Sequence, residues 1–252
     1  MRGAIVTGAS KGIGRSIACA LAARGYRVLA VARSSDLLAE LAASSEGAIK
    51  ARRCDLRDET AVSDAVAAAI GEFGRLDLVV HSAGATKRGD FFRMSHGDFL
   101  DGFATKFHGA VELTRAAWPH LVNSSEGHLL NIVGAGGRTP SADFTIGGSV
   151  NSALINFTKA MAERGRRDGV RVNAINPGLI ETDRLTLQIA RLAEENGVDT
   201  DRARAMLIAA RDIRRFGRPE EIADLAVFLD TPEAAYIHGA IIDCDGGLTK
   251  GI

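Results

Sequence analysis

The feature that most limits what this chain can fold into is a rhythm. Short apolar, β-branched runs alternate with longer alanine-rich stretches of helical spacing. The runs fall at 4–7, 27–31, 49–55, 76–81, 127–133, 170–175 and 240–243. Several, such as Leu78-Val79-Val80, are apolar without alternation, as a strand must be when helices cover both faces of a parallel sheet. Between them, helical patterns occupy 12–24, 35–44, 59–73, 96–121, 149–167 and 220–229. Arg218-Pro219-Glu220-Glu221 opens the last of these with proline and acids where a helix start wants them. Alternation repeated this often predicts an α/β fold: one Rossmann-type, doubly wound sheet of about seven parallel strands with helices on both faces. No repeat or Pro/Ser-rich linker divides the chain, so residues 1–252 read as a single domain. The polar, helix-patterned stretch 181–216 interrupts the rhythm and is expected to form a lid beside a cleft.

The first run leads straight into Thr7-Gly8-Ala9-Ser10-Lys11-Gly12-Ile13-Gly14 and then a helix. Glycines there allow a tight turn and close backbone approach to a pyrophosphate, which the helix N-terminus then receives on free N–H groups. Strand, turn and helix stand in the required order, so the domain is read as NAD(P)-binding, with Gly8, Ser10, Lys11, Gly12, Ile13 and Gly14 as contacts. An acid after the second strand would accept hydrogen bonds from the ribose 2′-hydroxyl of NAD. Ala32-Arg33-Ser34 stands there instead, and Arg33 with Lys11 can pair with a 2′-phosphate, so NADP(H) is favoured over NAD(H).

Composition removes other classes. Thirty-one basic residues balance 31 acidic ones, leaving no electrostatic footprint for nucleic acid or an anionic membrane. No apolar run approaches the ~20 residues of a membrane span. Met1-Arg2-Gly3-Ala4-Ile5-Val6 reaches a glycine too soon for a signal peptide, and Cys19, Cys54 and Cys244 are scattered, so a reducing cytoplasm is the expected location. The six histidines lack ligand spacing, and no metal site is expected.

With these residues in view, the chain resembles the short-chain dehydrogenase/reductase family over nearly its whole length. Cys54-Asp55-Leu56 looks like the family's adenine-contacting aspartate segment. His81-Ser82-Ala83-Gly84 stands where the family has Asn-Asn-Ala-Gly. Asn176-Pro177-Gly178, with Ile180 and Thr182, resembles the loop that holds the nicotinamide carboxamide. Arg218–Ala223 and Asp245-Gly246-Gly247 resemble its C-terminal signature. The resemblance implies cofactor contacts at Asp55, Leu56, His81, Ala83, Gly84, Pro177, Gly178, Ile180 and Thr182. It implies an oxidoreductase acting on a small carbonyl or alcohol substrate.

The family's Ser–Tyr–Lys set and helix asparagine are missing. The only tyrosines, Tyr26 and Tyr236, are followed four residues on by Ala30 and Ala240, so no Tyr-x-x-x-Lys exists. Laid on the anchors Asn131-Ile132 and 153–159, the family pattern puts serine at Gly134, tyrosine at Gly147 and lysine at Asn151. Lys106 takes the asparagine position. Amine and amide are thus exchanged between neighbouring positions, and Lys106 and Asn151 are the candidate catalytic pair, with Lys106 a proton donor if burial lowers its pKa. Gly134, Gly136, Gly137, Gly147 and Gly148 are expected to empty space beside the nicotinamide. Asp143, Thr145 and Ser149 flank the vacated tyrosine position as substitute acids, while His108 falls on a different helix face and reads as packing. The alternatives are a catalytically inactive cofactor-binding or regulatory protein, and a non-redox lyase, dehydratase or hydrolase in the same pocket.

The helices over 96–121 and 149–167 carry apolar residues on all sides, Val111, Leu113, Trp118, Leu154, Ile155 and Phe157 among them, which predicts a homodimer or homotetramer. Arg184, Arg191, Arg202, Arg204 and Arg211 in the lid read either as a solvated face or as a basic rim suited to an acidic or acyl-carrier substrate.

Overall fold

A computed structural model describes residues 1–251. Seven parallel strands form one sheet: β1 (Gly3–Thr7), β2 (Arg27–Ala32), β3 (Ile49–Arg53), β4 (Leu78–His81), β5 (His128–Ile132), β6 (Arg171–Pro177) and β7 (Ile241–Cys244). Their order is β3-β2-β1-β4-β5-β6-β7. The chain winds outward from β1 to β3, then crosses back to place β4 on the other side of β1. That reversal opens a crevice at the C-terminal ends of β1 and β4, where ligands bind in sheets of this type.

Successive residues of one strand feed opposite cores, which explains the unbroken apolar runs. Ala4 and Val6 pack under α1 (Gly12–Ala23), α2 (Ser35–Ala43) and the later helix over 219–229, whereas Ile5 packs on the other face. That second face is covered by α3 (Glu59–Phe73) and by the long helix that follows β4. α3 matches its predicted bounds because both ends are signalled. The Asp58 carboxylate accepts from the N–H groups of Thr60 and Ala61, and Gly74 ends the helix at φ +74°.

The single helix expected over 96–121 is interrupted. α4 (His96–Phe103) and α5 (Gly109–Val122) are joined by a π-helical turn, Ala104–His108, so the axis continues while one extra residue is accommodated. α6 (Thr145–Asp168) begins before the predicted 149, since Gly147 and Gly148 belong to its first turns. The 181–216 stretch forms α7 (Asp183–Asn196) and α8 (Thr200–Arg211), with a small core of its own made by Leu185, Ile189, Ala203, Leu207 and Phe216. α9 (Pro219–Leu229) follows. Among the described residues no helix is long and apolar enough to cross a membrane.

At the N-terminal ends of the strands lies a buried polar cluster centred on Asp230. Its carboxylate accepts from Tyr26 Oη at 2.6 Å and His128 Nδ1 at 2.9 Å, and pairs with Arg2 at 3.0 Å and Arg171 at 3.6 Å. Burial keeps His128 neutral, so its Nδ1–H donates to Asp230 and Nε2 accepts from Asn173 Nδ2 at 3.2 Å.

Candidate active site

The crevice is built by three turns at the C-terminal strand ends. After β1, Gly8 and Gly12 adopt φ of +66° and +55°, and a Cβ on Gly14 would lie 2.4 Å from the Gly8 carbonyl oxygen. Only glycine fits there. Lys11 is the N-cap of α1 and supplies no side-chain hydrogen bond, so the first N–H groups of the helix stay uncapped. A glycine cradle closed over free helix donors fits the pyrophosphate of a dinucleotide. Thr7, outside the predicted contacts, ties the cradle to the next turn, its Oγ1 accepting from the N–H groups of Ser82 and Ala83, both at 3.1 Å. The signal was its place as the last residue of the strand before the glycines.

Arg33 is exposed just past β2. Lys11 reaches across the turn to Asp183 at 3.4 Å. Ser10 and Ile13 sit on the same turn, both half-buried. Asp55 is engaged with Arg57, whose Nη2 donates to it at 2.6 Å, and those hydrogen bonds hold its carboxyl below the usual range. Leu56 is buried against α5, since a Cβ on Gly109 would come 2.7 Å from Leu56 Cβ. His81 closes β4 at the crevice. Its ring is buried, Nε2 lies 3.1 Å from Thr114 Oγ1, and Nδ1 has no partner. Burial pushes it down to about 3, so it is neutral.

After β6, Pro177 is the last strand residue, and Gly178 passes so close to Asp245 that a Cβ would sit 2.8 Å from its Cα. Ile180 is buried and pairs with Gly217. Thr182 caps α7 and lies against the glycine turn, its methyl 3.1 Å from where a Gly12 Cβ would be.

The structure brings Lys106 and Asn151 together. Lys106 Nζ donates to Asn151 Oδ1 at 2.7 Å and to Val133 O at 2.5 Å, while its stem lies against Gly84, which at φ +131° has no room for a Cβ. The amine stands on the π-helical turn, and the amide is buried on α6. Enclosure of the ammonium, aided by the charge of Arg184, lowers Lys106 to about 7.

The glycines do not leave the space expected of them. Phe144, the residue before α6, folds its ring back over the helix start: a Cβ on Gly147 would lie 2.0 Å from Phe144 Cζ, and one on Gly136 would lie 2.9 Å from the ring. The volume beside the vacated tyrosine position is therefore aromatic. Gly134 has φ +135°, a backbone that a serine would not readily adopt. Asp143 pairs with Arg88 at 2.6 Å and accepts from Ser141. Thr145 Oγ1 contacts Met94 Sδ at 3.7 Å, Ser149 is exposed, and exposed His108 stacks on Phe107. Arg184 is exposed, yet its guanidinium lies over the Phe144 ring at 5.7 Å, with that of Arg88 at 4.1 Å. Phe144 and Arg88 were not among the predicted site residues, and Arg184 was read only with the other lid arginines, as a solvated face or a basic rim. Nothing in spacing marks them, because the loop after β4 and the start of α7 meet them only in three dimensions.

A dinucleotide cradle at the switch point of a doubly wound sheet, with titratable groups at the adjoining strand ends, defines a nucleotide-dependent α/β protein. Residues 8–249 match the family model described as enoyl-(acyl carrier protein) reductase. The chain is 33% identical over 249 residues to the short-chain reductase protein NovJ of Streptomyces niveus, covering 97% of this chain and 92% of that one. It is 31% identical over 248 residues to the 3-oxoacyl-[acyl-carrier-protein] reductase FabG of Escherichia coli, covering 97% and 96%. The solved actinorhodin polyketide ketoreductase with NADPH superposes with a TM-score of 0.94 at 27% identity, over 99% and 98% of the two chains. The chain belongs to the short-chain dehydrogenase/reductase family of oxidoreductases.

Proposed function

We propose that this protein is an NADP(H)-dependent oxidoreductase of carbonyl and alcohol substrates in which Lys106 replaces the family tyrosine as proton donor. The observation that carries the reading is the contact of Lys106 Nζ with Asn151 Oδ1, 2.7 Å long, at the exchanged positions. When bound, the nicotinamide supplies the hydride for the carbonyl carbon and is itself oxidised. Lys106, two of whose donors are fixed by Val133 O and Asn151 Oδ1, presents its third to the substrate oxygen and passes it a proton, giving the alcohol. A pKa of about 7 suits this, because the amine gives up the proton near neutrality and regains it from water. The uncapped start of α1 would hold the pyrophosphate, and Arg33 with Lys11 would pair with the 2′-phosphate. NADPH in the related ketoreductase structure supports that choice.

Titration with NADPH and with NADH, followed by nicotinamide fluorescence, tests the cofactor, and tighter NADPH binding is expected. Lys106→Met is expected to lower carbonyl reduction by roughly 10²–10⁴-fold with NADPH affinity kept. Full activity in that variant removes Lys106 from the role. Phe144, filling the tyrosine volume, favours a second reading, a cofactor-binding protein without turnover. Loss of NADPH absorbance on adding any carbonyl substrate excludes it. We also infer self-association through α5 and α6, where Val111, Trp118, Ile155 and Phe157 are only partly buried within the chain, and sedimentation velocity tests this.

A further inference from the structure

The groups around Phe144 carry a charge imbalance that the reaction does not use. Three cations converge on this ring and its surroundings. Arg88 stacks at 4.1 Å and Arg184 at 5.7 Å, while Lys106 is reached through Gly136 and Asn151, whose Nδ2 lies 3.6 Å from the Gly136 Cβ position. Among the described residues, the carboxylate that pairs with any of them is Asp143, 2.6 Å from Arg88. Arg184 has no ion-pair partner among the described residues, although it stands next to Asp183, which turns instead toward Lys11. The repulsion is internal to the cluster, since Arg184 disfavours the charge on Lys106 and Arg88 disfavours that on Arg184. The start of α6, at Phe144, likewise has no side-chain cap. Uncompensated cations held on a rigid aromatic face are stabilised by an anion that arrives from outside. A guanidinium offers the paired donors that match a planar carboxylate.

We propose that Arg184, set on Phe144 beside Arg88, binds the carboxylate of an oxo-acid substrate and so presents its carbonyl to Lys106. The subsite rests on the oxidoreductase reading for its purpose, but its existence is measurable without turnover.

Calorimetry on the NADP⁺-loaded protein with butyrate, 3-oxobutyrate and inorganic phosphate provides the binding test, with Arg184→Gln and Arg184→Lys as variants. Arg184 is exposed, so neither change disturbs a core. The expected result is saturable binding of both carboxylates, weakened at least about tenfold in Arg184→Gln and less in Arg184→Lys, with NADP⁺ affinity unchanged. Tighter binding of phosphate than of either carboxylate overturns the carboxylate assignment, and so does equal affinity in wild type and Arg184→Gln. Turnover gives the second arm: 3-oxobutyrate against its methyl ester, with NADPH. The acid is expected to be preferred, and Arg184→Gln is expected to raise the KM of the acid well above that of the ester, while any change in kcat that follows from removing a charge beside Lys106 is shared by the two substrates. A variant that loses both substrates equally overturns the proposal. Carboxylate binding that depends on Arg184 in a protein with no NADPH oxidation keeps the subsite and refutes the oxidoreductase reading alone.

Discussion

The two ends of the sheet handle polar groups in opposite ways. At the N-terminal ends of the strands, Asp230 is buried and ringed by Tyr26, His128, Arg2 and Arg171, and His128 is itself satisfied by Asn173. At the C-terminal ends, α1 begins without a side-chain cap, and among the described residues Arg184 has no ion-pair partner and the buried atoms His81 Nδ1 and Asn131 Oδ1 have no hydrogen-bond partner. The lower cluster is closed save for Arg2 Nε, which makes no hydrogen bond among the described residues and lies 3.2 Å from Glu126, and its role is to stabilise. The upper one keeps donors and charges in reserve for molecules that come and go, and it gives up stability to do so.

The largest effect that separates the two ends is expected from Asp230→Ala. It strands buried donors, and it should cost about 3–5 kcal/mol, read as a fall in Tm, without altering the NADPH affinity of the folded protein. If affinity falls with stability, the ends are coupled and the division fails. Next is Gly147→Ala, whose Cβ meets the Phe144 ring. A loss of about 1–3 kcal/mol is expected, most of it recovered when Phe144 is also alanine, and additivity between the two changes would deny the contact.

Lys106 sharpens the contrast through pH. Its folded value of about 7 lies below the ordinary 10.5, so in that window the unfolded chain holds the extra proton. Stability should therefore rise with pH from about 7 to 10.5, by at most about 1.4 kcal/mol per unit, and Lys106→Met should flatten that slope. A slope unchanged in the variant would place its origin elsewhere. The smallest change is expected from Arg33→Ser: NADPH binding weakened by up to about tenfold and NADH binding unaltered, measured by fluorescence titration.

Most of the architecture was legible because it depends on local signals. Unbroken apolar runs announced strands covered on both sides, and Asp58 and Gly74 bounded α3 to the residue. The start of α6 was hidden, since Gly147 and Gly148 weaken the helical signal and are kept for close packing against Phe144 and the Gly136 carbonyl. The exchange of Lys106 and Asn151 could be read from positions on two helices, and the structure places those groups in hydrogen-bond contact. What filled the tyrosine volume could not. A glycine reports the absence of a side chain at its own position, not which neighbour moves in, and Phe144 reaches that space by folding back over its own helix. The same holds for Arg184, which the sequence grouped with four other lid arginines and which only the approach of α7 to the α6 start sets apart.

The π-helical turn at Ala104–His108 re-aims the side chains it carries, Lys106 among them, within an otherwise continuous helix. Each α-helical residue advances the chain by about 100°, and the wider π turn takes in one surplus residue, so α4 and α5 stay in phase while the residues of the turn itself project at altered angles. A single-residue deletion within 104–108 would let the segment close into a continuous α-helix with α5 still anchored on the sheet. α4 and α5 would keep their relative phase, because the π turn absorbs the surplus residue locally, and only the side chains carried on 104–108 would be redirected. The amine would leave Asn151 although no residue touching the cofactor cradle had changed, so the length of this turn, as much as its lysine, specifies the site.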